Sequence, residues 1–124
     1  MTQKKVLIID DSPLVLEMAK DILEEAGYIV HTATNGIEAN QHIFSVDERK
    51  PDLILLDIMM PLLSGDKKVH LLRQSEHSKD IPVLLISSKP EHELKELAYQ
   101  AYAAGYLCKP FTKYELIEAV RNHV

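Results

Sequence analysis

Three acids, three serines and a lysine stand where short apolar runs stop, and that placement is the first sign of chemistry in the chain. Asp10, Asp11 and Ser12 follow the run 6–9; Asp57 follows 53–56; Ser87 and Ser88 follow 83–86; Lys109 follows 106–108. Three carboxylates brought together repel and resist full ionisation unless a cation offsets their charge. A hard divalent ion with oxygen ligands and retained water meets that need, and Mg2+ is the usual one beside phosphates. A carboxylate is also a competent nucleophile toward phosphorus, giving a mixed anhydride. Phosphoryl transfer then asks mainly for positioning and for neutralisation of the equatorial oxygens. Mg2+, the Lys109 ammonium and the Ser87 hydroxyl each suit one of those oxygens, and no histidine or second general base is required. An unpaired Asp57 in so apolar a stretch would be costly, which argues for a paired or functional carboxylate.

The elements that must position these groups are legible from periodicity. The runs 6–9, 53–56 and 83–86 are short, continuous and rich in Val, Ile and Leu, as strands buried on both faces of a parallel sheet are. Residues 29–33 form a more mixed strand, placed nearer an edge, and 106–108 a short fifth. Between them the period becomes helical. Val15, Met18, Ala19, Ile22, Leu23 and Ala26 form one stripe, with Ser12-Pro13 before it and Gly27 after. Leu94, Leu97, Ala98 and Ala101 form a second, opened by a capping box over Ser88 to Glu91 with Ser88 as the cap. Thr112 to Glu115 opens a last helix whose inner side is Leu116, Val120 and Val124, and weaker helices fall at 37–46 and 66–73. Five β-α repeats predict an α/β fold with a parallel sheet, right-handed crossovers and helices on both faces. In such sheets sites form at the carboxyl ends of the strands, where the polar residues above all fall.

Composition narrows the alternatives. The 124 residues suit one domain over 1–124, and a net charge of −5 gives no drive toward nucleic acid or an anionic membrane. The basic start through Lys5 leads into only four apolar residues before Asp10, too few for a signal peptide or a span. Cys108 is the one cysteine, which excludes an internal disulfide and fits a reducing cytoplasm. The six histidines are scattered without HExxH or CxxC spacing, which argues against a histidine-based metal site.

Four segments in order and correctly spaced, VLIIDDS (6–12), DIMMP (57–61) with Gly65, ISS (86–88) and YLCKPF (106–111), resemble the receiver domain of two-component response regulators, most of all its chemotaxis-type, CheY-like members. The resemblance covers essentially the whole chain. It implies a doubly wound, flavodoxin-like sheet of five parallel strands in the order 2-1-3-4-5 with five helices. It makes Asp57 the phosphoacceptor, served by a sensor histidine kinase or a phosphotransfer protein. Asp11 and Asp57 would hold Mg2+ directly, Asp10 through water, and the Met59 backbone carbonyl would complete the protein ligands. Ser87 and Lys109 would contact the phosphoryl group, Pro110 would follow a cis bond, and Tyr106 would turn inward as Ser87 moves. Such a chain phosphorylates and dephosphorylates itself and is not a turnover enzyme. The resemblance leaves open the downstream protein target and a phosphorylation-dependent dimer, with Lys95, Tyr99, Tyr106, Lys113 and Glu118 as output candidates.

Two departures stand out. Receivers often carry glycine seven residues before the strand-five lysine; here Tyr102 holds that place and the glycine is Gly105. Leu62-Leu63 replaces a more polar turn. Met59 and Lys89 occupy the positions that flank the phosphoryl group in the family, where a bulky Met59 would impede the hydrolytic water and prolong the phosphorylated state. The rival readings are a non-switching interaction module of the same fold, a flavodoxin-type flavin carrier and an aspartate-nucleophile phosphatase. The anionic Asp10-Asp11 loop would repel a flavin phosphate, and adjacent acids do not make the phosphatase D-x-D pattern.

Overall fold

A computed structural model describes residues 3–59 and 65–124. The chain alternates β1(Lys5–Ile9), α1(Pro13–Glu25), β2(Ile29–Ala33), α2(Gly36–Phe44), β3(Leu53–Asp57), α3(Gly65–Arg73), β4(Val83–Ser87), α4(Glu91–Gln100), β5(Gly105–Cys108) and α5(Lys113–Arg121). All strand pairs are parallel, in the order β2-β1-β3-β4-β5. This is the five-stranded order and five-helix layout expected from the resemblance. The mixed strand β2 lies at one edge, and the unbroken apolar strands β1, β3 and β4 lie buried in the middle.

Alternation of side chains divides each central strand between two cores. Leu7, Ile9, Ile54, Leu56, Val83 and Leu85 face Ala39 and Ile43 of α2, Val69 and Leu72 of α3, and Leu94 and Ala98 of α4. Val6, Ile8, Leu53, Leu55, Leu84 and Ile86 face Leu16, Ala19 and Leu23 of α1 and Leu116 and Val120 of α5. Each fully buried Leu or Ile removes apolar surface from water worth roughly 1.5–3 kcal/mol. Among the described residues no helix is long and apolar enough to cross a membrane.

The helix signals hold in most places. The Ser12 side chain accepts from the Val15 N–H at 3.3 Å, and Thr112 and Glu115 form a full capping box. Three expectations need correction. The box over Ser88 to Glu91 does not form: Pro90 stands at the N-cap with extended backbone and no side-chain cap bond. An extended proline there leaves Ser88 two residues outside the helix, and the first turn closes on the Pro90 carbonyl, which accepts from Glu93 and Leu94 at 3.0 Å. On α1 the seat is Leu16, Ala19 and Leu23, while Met18 is 43% exposed. Periodicity finds a helix but not the rotation at which the neighbouring sheet seats it. Val124 lies beyond α5, which ends at Arg121, and is exposed rather than part of the inner side.

Helix α4 closes in a Schellman motif. The Tyr102 N–H donates to the Tyr99 carbonyl at 3.2 Å and the Ala103 N–H to the Ala98 carbonyl at 3.0 Å. That geometry puts Tyr102 in the left-handed region, at φ 58°. The backbone therefore takes the conformation that suits glycine at the place where the family often has one, although a tyrosine occupies it. Gly105 answers a different need. A Cβ there would lie 3.1 Å from both His123 Nε2 and Leu84 Cδ2, so strand β5 enters under the C-terminal segment without room for a side chain.

Candidate functional site

Parallel register carries the polar residues to one edge. Ile9 pairs with Leu56, Asp57 with Ile86 and Ser87 with Cys108, so Asp10, Asp57, Ser87 and Lys109 end four consecutive strands of the sheet side by side. Backbone bonds fix the strand ends: Asp10 N–H to the Ala33 carbonyl at 3.1 Å, Ile58 N–H to Ile86 at 3.2 Å and Lys109 N–H to Ser87 at 2.7 Å. Carboxylate oxygens of Asp10, Asp11 and Asp57 come within 4.8 Å of one another. Asp10 and Asp57 are buried and Asp11 is exposed, so the cluster opens to solvent on the Asp11 side.

Each buried acid is held on both oxygens. Asp10 Oδ1 accepts from the Ser12 N–H at 2.9 Å and Oδ2 from Lys109 Nζ at 2.7 Å. Asp57 Oδ1 accepts from the Met59 N–H at 2.8 Å, and its Oδ2 lies 3.4 Å from Lys109 Nζ. Burial pushes the Asp57 carboxyl above the usual carboxylate range; the Asp10 charge adds to this, while the Met59 N–H and Lys109 oppose it. Burial works against the Lys109 charge, but the bond to Asp10 and the charges of both acids outweigh it and hold its pKa above the ordinary value. One ammonium thus serves two buried carboxylates, with Asp11 adding a third negative group. The set has a deficit of positive charge, and its donors are hard oxygens, which suits a divalent cation such as Mg2+.

Ser87 is fully buried, and its Oγ accepts from the Lys89 N–H at 3.0 Å rather than meeting the acids. Lys89 Nζ lies 3.2 Å from Glu93 on α4. Tyr106 is half-buried, and its hydroxyl donates to Glu91 Oε1 at 3.1 Å at the start of α4. That bond, then burial, raises the phenol's pKa. Its partner Glu91 was not legible as such, because the pairing depends on where α4 packs over β5. Met59 presents a side chain 56% exposed next to Asp57. Leu62 and Leu63 lie outside the described residues, as does Pro61. The Lys109-Pro110 bond is cis, as the resemblance implies. Tyr99 and Tyr102 are 82% and 81% exposed, which makes them surface rather than core. Cys108 packs against one core, and burial pushes its thiol up, away from the reactive thiolate. A second group also converges, which sequence spacing had hidden: His31, His42 and Glu48.

A family model described as the response regulator receiver domain matches residues 6–121. The chain is 39% identical over 121 residues to the phosphate regulon transcriptional regulatory protein PhoB of Pseudomonas aeruginosa, covering 98% of this chain and 52% of PhoB. It spans about half the length, or less, of several curated relatives that it matches. Its fold superimposes on the chemotaxis protein CheY4 of Vibrio cholerae with TM-score 0.87 at 30% identity, covering 99% of this chain and 100% of that one. The receiver domain of the sensor histidine kinase PA1611 of Pseudomonas aeruginosa, solved with a magnesium ion coordinated in its active site cleft, matches with TM-score 0.82 at 25% identity over 98% of each chain. This chain belongs to the response regulator receiver family, the signalling domains of two-component systems.

Proposed function

We propose that this chain accepts a phosphoryl group on Asp57 from a histidine kinase or phosphotransfer protein and thereby switches a protein-interaction surface. The observation that carries the reading is the meeting of three carboxylates within 4.8 Å with Lys109 Nζ, 2.7 Å from Asp10 and 3.4 Å from Asp57. A bound Mg2+, held by Asp11, Asp57, the Met59 carbonyl and, through water, Asp10, would supply charge neutralisation at the transferred group. Everything else falls to the chain. An Asp57 oxygen attacks phosphorus, a P–O bond forms, and the P–N bond to the donor imidazole breaks, leaving its electron pair on nitrogen. Lys109 then exchanges part of its contact with the acids for a phosphoryl oxygen, and Ser87 gives up its bond from the Lys89 N–H to donate to another. Movement at Ser87 vacates space beside β5. Tyr106 leaves Glu91 and turns inward, a population shift between two packings of α4 on β5. This would be chemistry the chain performs on itself, without a released product of its own.

The whole of 1–124 acts as one receiver unit in the cytoplasm in this reading, with its target a protein rather than nucleic acid or membrane. The test is incubation with acetyl phosphate, with and without Mg2+, followed by intact-mass spectrometry. One Mg2+-dependent phosphoryl adduct, lost in Asp57→Asn, is the expected result. No adduct under long incubation, with phosphoramidate as a second donor, would replace this reading with a non-switching interaction module of the same fold.

A further inference from the structure

We propose that His31, His42 and Glu48 form a second metal site, selective for a divalent transition ion of the Zn2+ class, on the α2 side of edge strand β2. The three residues come from three elements: β2, α2, and the segment between α2 and β3. One ligand atom from each lies within 4.8 Å of the others, and all three are half-buried. His42 Nδ1 and Glu48 Oε2 are 3.2 Å apart. Two ligands at 2.0–2.1 Å from a tetrahedral Zn2+ are separated by about 3.3 Å, so this pair already has the required spacing. The His31 and His42 rings meet edge-on with centroids 4.7 Å apart. His31 makes no side-chain hydrogen bond among the described residues, which leaves its ring nitrogens available.

The surroundings favour one kind of ion. Two imidazoles and one carboxylate suit Zn2+ and its neighbours and suit the oxygen-seeking Mg2+ poorly. The His42 and Glu48 side chains are 23% and 34% exposed, so solvent reaches the cluster and water could supply a fourth ligand. Lys5 is the opposing group. Its buried ammonium lies 3.1 Å from Glu48 Oε2 and donates to the Arg49 carbonyl at 2.5 Å, so it competes for the same carboxylate and weakens the site without blocking it.

The site stands independently of phosphorylation, and the experiment keeps the two apart. Chelator-stripped full chain is titrated with Zn2+ in excess Mg2+, which fills the acidic cluster at Asp57, while calorimetry and histidine ring NMR are followed. One equivalent of Zn2+ is expected, with the His31 and His42 ring signals shifting together and saturating at that equivalent. His31→Ala and Glu48→Gln weaken binding roughly tenfold or more, as loss of one of three protein ligands requires. Lys5→Met tightens it, by removing the competing ammonium. The NMR readout needs no variant, so a misfolded variant does not shield the idea. Zn2+ uptake that Mg2+ abolishes, or ring shifts confined to the other histidines, overturns the site.

Discussion

Replacing Tyr102 by glycine should stabilise the protein, although it removes an entire aromatic side chain. Tyr102 sits at φ 58° as the left-handed residue of the Schellman motif that ends α4. For an L-residue that conformation costs about 1–2 kcal/mol, through crowding of Cβ against the following carbonyl. Glycine removes the crowding but widens the unfolded ensemble, at about 0.5–1 kcal/mol. The ring is 81% exposed, so little burial is lost with it. The balance is a gain of about 0.5–1 kcal/mol, or a rise of about 2–5 °C in Tm for a chain of this size. Urea unfolding reads it as a higher midpoint at unchanged slope. Tyr102→Ala is the control: it keeps Cβ and discards the ring, and its stability should match the parent. If Tyr102→Gly proves less stable than the parent, or Tyr102→Ala gains as much as glycine does, the strain argument is wrong and the ring itself decides the outcome.

Asp57→Asn should raise stability at neutral pH by about 1–2 kcal/mol in the absence of Mg2+, because it removes a buried charge shared with Asp10. The sign with pH follows from the raised folded pKa: the penalty is absent below the unfolded value of about 3.9, grows as pH rises through the folded value, and is full at neutrality. Denaturant melts across this range should show the gap between variant and parent closing toward low pH, and a constant gap refutes the argument. Gly105→Ala places a Cβ 3.1 Å from His123 Nε2 and Leu84 Cδ2, so it should cost about 1–2 kcal/mol. Adding His123→Ala should restore part of that loss, and no recovery would show that Leu84 alone sets the limit. If Asp57 accepts phosphate as proposed, Met59→Asn should shorten the phosphoryl lifetime, since an exposed methionine two residues beyond Asp57 would shield the phosphoryl group from water; phosphate release timed after donor removal checks it, and an unchanged lifetime sinks the idea.

What the sequence determined by itself is the set of elements and the primary cluster. Unbroken apolar runs identify strands buried on both faces, because only a sheet covered by helices hides both sides of Val, Ile and Leu. The acids fall at strand ends, and in a parallel sheet all such ends point the same way, so Asp10, Asp57, Ser87 and Lys109 had to share an edge once the fold was known. Strand order was legible through the family resemblance alone, since periodicity says nothing about which strands pair. Only the tertiary structure decided the rest. Pro90 displaced Ser88 from the cap, and the sheet rather than the stripe chose which face of α1 is buried. Lys109 pairs more closely with Asp10 than with Asp57, Tyr106 meets Glu91 across α4, and the backbone at Tyr102 is left-handed although the residue is not glycine. Histidines scattered along the chain meet Glu48 because β2 and α2 pack face to face. Such contacts depend on how elements seat against one another, which is a property of three-dimensional packing and leaves no spacing in the sequence to read.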